Sequence, residues 1–287
     1  MQSAASGNWL ALMIGNSRLH WAWFADSTLQ RTWDTPHASV EAIAPLTHHP
    51  NFSRILGEVY PLFPSQAQLP LWLASVVPEQ TRIWQAYAKT QIITLDQVPL
   101  QSLYPSFGID RALAVWGAGQ KLGFPVLVID AGTALTLTGA DSAGRLVGGA
   151  ILPGVGLQLR SLANYTAALP ELDTRLISSL QSIESIPRWA TNTSEAMLSG
   201  VLYSMIAGLQ DFLKAWLQTF PSSPIVMTGG DRTVLFRLWQ EQMPQITRRV
   251  KLDANLVFWG MQAIVEAENP KEVAENAENS VNSQKTE

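Results

Sequence analysis

Cysteine is missing altogether from this 287-residue sequence. That excludes a disulfide frame, a thiolate zinc site and a thiol nucleophile together. Histidine is scarce as well. His20, His37, His48 and His49 follow no metal-ligand spacing, so any metal must sit on oxygen ligands. Charged residues make up only 15% of the chain and the net charge is −4, so there is no broad basic field for a phosphate backbone, and nucleic acid is not expected as a partner. An uninterrupted apolar run of about 18 residues is also lacking, and the opening MQSAASGN has no basic segment. The expectation is a soluble cytoplasmic protein with no membrane span, in which the sequons at Asn51, Asn164 and Asn192 are chance matches.

What the chain does have is apolar mass: 47% of its residues are hydrophobic, enough to fill one large core or two ordinary ones. Two stretches look like copies of one plan, LALMIGNSRLHWAW near the start and VLVIDAGTALTLTG in the middle. Each is an apolar run, a turn with Gly and a small polar residue, and then alternating residues of strand propensity. Setting Met13 against Asp130 aligns MIGNS with DAGTA, and both copies run on to the tripeptide ADS before a third run, LQRTW or RLVGGAIL. This internal repeat predicts three consecutive antiparallel strands per copy, followed by helices from Ser39 and from Val155.

Between and after the copies, short apolar runs at LPLWLASVV and QIITLD alternate with the helical pattern TRIWQAYAKT, which suggests parallel additions to a sheet. A helix is expected from Asp110, a long apolar one over SEAMLSGVLYSMIAGLQDFLKAWLQTF, a buried strand at SPIVMTGG, and helices over DRTVLFRLWQEQM and LDANLVFWGMQAIVEA. The fold class is therefore α/β, as two halves of related design. The boundaries read as a disordered N-terminus over 1–8, a first domain over 9–118, a second over 119–266 and a disordered acidic tail over 267–287. Ligand is expected in a cleft between the halves, facing the two Gly-polar turns.

A strand turning tightly through Gly beside a Ser or Thr aims backbone N–H groups and a hydroxyl at one point, an anion nest that suits phosphate. An Asp at the strand's end can hold a cation beside the phosphate oxygens, as Asp130 can and Met13 cannot. Taken alone, either turn is an ordinary hairpin. GIDR (108–111) puts an acid and a base at the start of a helix, where the plain reading of Asp110 is a capping carboxylate and that of Arg111 a structural ion pair. The catalytic reading has Asp110 take the proton of a hydroxyl that attacks a terminal phosphate. GGAILPG (148–154) and TGG (228–230) allow close backbone approach, though each is also an ordinary turn.

The order of these motifs resembles the type III pantothenate kinases of the acetate and sugar kinase/Hsp70/actin superfamily: MIGNS, GIDR, DAGTA, GGAILPG, TAALP (166–170), Thr193 before a long helix, and TGG. The resemblance implies two RNase H-like, actin-like ATPase domains and ATP-dependent phosphorylation of pantothenate, the first step of coenzyme A synthesis. It further implies a cytoplasmic homodimer that uses Mg2+ or another divalent ion and K+ or NH4+. By the same likeness Asp110 matches the proton acceptor. Tyr104, Gly108, Ile109, Asp110, Arg111 and Thr193 match pantothenate contacts. Met13, Ile14, Gly15, Asn16, Ser17, Arg18, Leu19 and His20 occupy the first phosphate segment, Thr133 matches an ATP contact and Asp130 the monovalent-cation ligand.

The departure lies at Met13, where the family carries Asp, and at Ser17, where it usually carries Thr. Ser keeps the hydroxyl. Met removes a charge, and losing one charge-assisted contact costs roughly 1.5–3 kcal/mol if nothing compensates, which activity can survive. The competing expectation is a non-catalytic or weakly active nucleotide-binding accessory protein resembling the regulatory Baf branch, motivated by Met13.

Overall fold

A computed structural model of the chain describes residues 7–39, 69–173, 177, 180 and 182–268. The helix expected from Ser39 falls almost wholly outside them, as do most of the N-terminal segment and the acidic tail. The described chain divides into two compact units. One comprises the residues up to Pro99, Tyr104–Gln120 and Val257 onward; the other comprises Leu100–Leu103 and Lys121–Leu256.

The first unit opens with β1 (Asn8–Ile14), whose residues are nearly all buried, followed by β2 (Leu19–Ala25) and the more exposed β3 (Thr28–Thr35). They form the expected antiparallel meander. β4 (Leu71–Ser75) and β5 (Thr90–Ile92) add in parallel, giving the order β3-β2-β1-β4-β5. Continuous apolar runs in β1 and β4 are what a strand covered on both faces requires. Between β4 and β5, α1 (Pro78–Trp84) begins three residues before the apolar pattern suggests, because Pro78 occupies its first turn. Leu10, Leu12, Ile14, Trp21 and Trp84 make up the heart of this core. Each such aliphatic side chain contributes about 1.5–3 kcal/mol on burial. Trp21 stacks on Trp33 and meets Trp84 edge-on.

Two helices belong to the same unit, α2 (Ile109–Leu122) and α7 (Leu256–Glu268). A β-carbon on Gly260 of α7 would overlap the Leu113 backbone of α2, so the glycine permits the close crossing. Trp259 meets Phe24 edge-on, and Gln262 Nε2 donates to the Ser27 carbonyl at 2.7 Å, tying α7 to β2 and its following turn.

The second unit repeats the plan. β6 (Val126–Ala131), β7 (Ala134–Ala140) and β8 (Leu146–Pro153) are an antiparallel meander, and β9 (Ile225–Thr228) and β10 (Val250–Leu252) pair in parallel, for the order β8-β7-β6-β9-β10. The short β10 was not anticipated; only Val250 of its three residues is buried, too little to make a pattern. Against the sheet pack α3 (Val155–Tyr165), α4 (Thr193–Thr219) and α5 (Arg232–Gln242), with the one-turn α6 (Pro244–Thr247) leading into β10. α4 is long and apolar enough to span a membrane by length and composition, with a mean hydropathy of 1.3. Its Met197, Val201, Leu202, Met205, Ile206, Leu209 and Leu213 are instead buried in this core. Gly139 on β7 leaves room for the Trp216 ring of that helix.

Candidate active site

The first turn links β1 to β2. Met13 is 3% exposed and pairs across the sheet with His20 of β2 and Ala74 of β4, and His20 in turn pairs with Asp34 of β3. Cross-strand partners share a face, so Ala74, Met13, His20 and Asp34 form one row at the carboxyl ends of the parallel strands. Ile14 and Leu19 close the strands in the core, while Asn16, Ser17 and Arg18 are exposed. The Gly15 N–H donates to the Arg18 carbonyl at 3.0 Å, and His37 Nε2 donates to the Gly15 carbonyl at 2.8 Å. His20 Nδ1 lies 2.7 Å from Asp34 Oδ1, both side chains being about half exposed.

The second turn links β6 to β7 and is a residue shorter. Gly132–Ala134 separate the paired Ala131 and Leu135, whereas Gly15–Arg18 separate Ile14 and Leu19. Here the equivalent row reads Thr228, Asp130, Thr136 and Ile151. Asp130 is half-buried and flanked by two threonines, one of them buried, while Thr133 is exposed at the tip. An oxygen-only set of this kind suits a hard cation.

Three motifs that are each unspecific in sequence meet at this second turn. The Gly154 N–H donates to the Thr133 carbonyl at 2.9 Å, and a β-carbon on Gly154 would strike the Gly132 and Thr133 carbonyls. Gly229, at φ +91°, lies so close to Asp130 and the Ala131 carbonyl that no side chain fits, and the Asp231 N–H donates to that same carbonyl at 2.8 Å. PG and TGGDR are thus the bracing of DAGT, which explains Gly154 and Gly229; nothing in the surroundings of Gly230 requires a glycine. Burial pushes the Asp231 carboxyl above its usual value, opposed by the charge of Arg160.

The loop that carries GIDR in the first unit is a compact cluster. Arg111 is 8% exposed, donates from Nη1 to the Tyr104 hydroxyl at 3.2 Å and lies 4.5 Å from the centre of the Phe107 ring. Tyr104 meets Phe107 edge-on. Gly108 is the residue before α2, and a β-carbon there would collide with the Asp110 carboxylate, so the glycine clears space for it. Ile109 is buried; Asp110 lies in the first turn of α2 and accepts the Arg111 backbone N–H at 2.8 Å. In the second unit Thr193 is the exposed first residue of α4, beside the capping Asn192, whose side chain accepts the Glu195 N–H. The residues missed in the sequence are Asp34, His37 and Thr136, brought to the turns by strand pairing or loop folding, while Thr228 opens the TGG motif.

Comparisons with known proteins agree with this geometry. The family model for type III pantothenate kinase matches residues 9–215. The type III pantothenate kinase of a Nostoc species is 50% identical over 264 residues, covering 90% of this chain and 94% of its own. That of a Synechocystis species is 46% identical over 262 residues, 91% and 92% of the two chains. Among solved structures, a Baf family transcriptional activator from Campylobacter jejuni superposes with a TM-score of 0.58 at 19% identity over 91% of this chain and 99% of that one. The activator of 2-hydroxyisocaproyl-CoA dehydratase from Clostridium difficile, solved with ADPNP bound, gives 0.51 at 10% identity, covering 94% and 97%. At those identities the structural likenesses speak for the fold alone, two α/β units of the actin-like ATPase type. With a family model over most of its length and relatives 46–50% identical across nine tenths of it, the chain belongs to the type III pantothenate kinase family.

Proposed function

We propose that this protein transfers the γ-phosphoryl group of ATP to the primary hydroxyl of pantothenate, giving 4'-phosphopantothenate and ADP. The observation that carries the reading is the second turn. It sets a carboxylate between two hydroxyls beside a loop braced by close backbone contacts, the kind of fixed polar site that phosphoryl transfer relies on. Asp110 accepts the proton of the attacking hydroxyl, and the room left by Gly108 supports that assignment. Arg111, fixed by Tyr104 and Phe107, offers a planar donor to the pantothenate carboxylate, with Thr193 as a further polar contact.

Asp130, with Thr136 and Thr228 beside it, would hold K+ or NH4+, which neutralises charge near the phosphates. Among the described residues no group of three His, Cys, Asp or Glu side chains stands ready for a metal. A magnesium or other divalent ion would therefore be held chiefly by the phosphate oxygens of ATP. We place the enzyme in the cytoplasm and take it to be a homodimer; the dimer is supported by the exposed Ile151, Tyr165 and Trp189 of the second unit and tested by sedimentation. The non-catalytic alternative rests on Met13 alone.

Incubation of the full chain with pantothenate, ATP, magnesium and potassium is expected to yield phosphopantothenate by mass spectrometry. Asp110→Asn should lower turnover by about 10²–10⁴-fold with ATP binding retained. No product from folded protein under any cation condition overturns the reading.

A further inference from the structure

The first turn lacks the carboxylate that the second has at Asp130, yet its row does contain one, two strands further over. Asp34 is joined to His20 at 2.7 Å, and His20 is the direct cross-strand partner of Met13. A carboxylate only accepts hydrogen bonds, so the ring nitrogen facing it, Nδ1, carries a proton. That contact fixes the ring, and its other nitrogen lies over the Gly15 turn: Nε2 stands 3.3 Å from where a β-carbon on Gly15 would be. His37 meanwhile occupies the Gly15 carbonyl, and the exposed Asn16, Ser17 and Arg18 complete the turn. The turn itself thus carries one cation, Arg18, and no carboxylate, and the carboxylate in its row is engaged by the ring between them.

We infer that His20, held by Asp34, is the direct contact of the first turn to a phosphate oxygen of the nucleotide, so that an imidazole donor takes over the place left by the missing carboxylate. The inference rests on the kinase reading and deepens it. Binding takes up one proton from solvent, so that both ring nitrogens donate, Nδ1 to Asp34 and Nε2 to phosphate. The ring is then an imidazolium between two anions, which is a pair of charge-assisted bonds. His20 touches the ligand; Asp34 is a positioning residue that sets the ring's orientation. As a purely structural pair, a half-exposed His–Asp contact would add little to stability. A contact to phosphate needs no metal bridge, whereas a carboxylate at Met13 would reach phosphate only through one.

The test is ATP binding by calorimetry with EDTA present, on the full chain and on His20→Gln, Asp34→Asn and the double variant. His20→Gln is expected to weaken metal-free ATP binding about tenfold, from the loss of one charge-assisted bond. Asp34→Asn should weaken it about threefold, and the double variant no more than His20→Gln, because Asp34 acts through the ring. Addition of ATP should move the His20 ring ¹⁵N signals to the imidazolium pattern in the parent. His20→Lys keeps a cation that needs no Asp34, so it should retain most of the affinity and be indifferent to Asp34→Asn. Parent-like affinity in His20→Gln overturns the inference, as does a loss seen only with magnesium present, which would make the ring a metal ligand, or losses that multiply in the double variant. A parent that binds ATP through His20 but forms no phosphopantothenate refutes the kinase reading while leaving this contact standing; a parent that binds no ATP refutes both.

Discussion

The two turns occupy the same place in the same sheet order, yet their rows of side chains are nearly inverted in character. The first reads Ala74, Met13, His20, Asp34; the second Thr228, Asp130, Thr136, Ile151. In the second the carboxylate stands at the end of the innermost strand between hydroxyls. In the first it has been carried to the meander's outer strand, with an imidazole between it and the turn. Their backbones differ as well. The second turn is gripped by Gly154 and Gly229, while the closest neighbour of a β-carbon at Gly15 is the ring of His20. Repetition of topology therefore fixes where a functional side chain must stand, and leaves open which chemistry stands there.

Transplanting the first row's residue into the second breaks the comparison most severely. Asp130→Met removes a cation ligand that we propose to be used, and turnover should fall by about one to two powers of ten, the equivalent of roughly 1.5–3 kcal/mol. Stimulation by potassium should vanish with it, read from initial rates in potassium against sodium or choline buffers. The reverse exchange, Met13→Asp, should change turnover by less than about tenfold and cost stability, because it buries a carboxylate at a position 3% exposed. If Met13→Asp raised turnover by powers of ten, the first turn would need a carboxylate after all.

A smaller effect sharpens the contrast in bracing. Gly154 has φ −67°, open to any residue, so the penalty of Gly154→Ala is steric and falls on the backbone of the second turn. It should lower stability by about 1–3 kcal/mol in urea unfolding. Gly15→Ala meets the edge of the His20 ring at 3.3 Å, tight but without the backbone overlap found at Gly154, and should cost less than about 1 kcal/mol. Equal losses would mean that the two turns are held alike.

Much of this architecture was legible because it is local. Alternation in LHWAWF and ALTLTGA, and unbroken apolar runs in β1 and β6, required strands on those residues, and the repeat then required the same meander twice. The apolar face of α4 was equally plain. Pro78 was a readable start signal for α1 that the apolar pattern of the following residues masked. β10 was not legible, since a three-residue strand with one buried side chain has no period to detect. Nothing in LVFWGMQAIVEAE indicates that α7 packs with the first unit; that follows from contacts to Phe24, Ser27 and Leu113. The candidate site divides the same way. Asp110, Asp130 and Thr133 lie inside short motifs, whereas the row through Asp34 depends on strand register, and the role of TGG depends on a loop folding back onto Ala131.

The smallest expected effect concerns the bracing loop itself. Asp231 is partly buried beside the second turn and makes no capping bond to α5 with its side chain. Burial raises its carboxyl pKa above the ordinary 3.8, with Arg160 opposing. A raised native pKa means that the folded chain binds the proton more tightly than the unfolded one, so stability falls as pH climbs from the unfolded value through the native one. The deficit is complete at neutral pH and absent in more acidic solution, where both states are protonated. Asp231→Asn removes the ionisation while keeping the shape, so it should melt higher than the parent at neutral pH, and the gap should close as pH falls toward about 3.8. The opposite sign, a variant that melts lower at neutral pH, would make the attraction of Arg160 the larger effect. The loop that braces the second turn would then be held by charge as well as by its glycines.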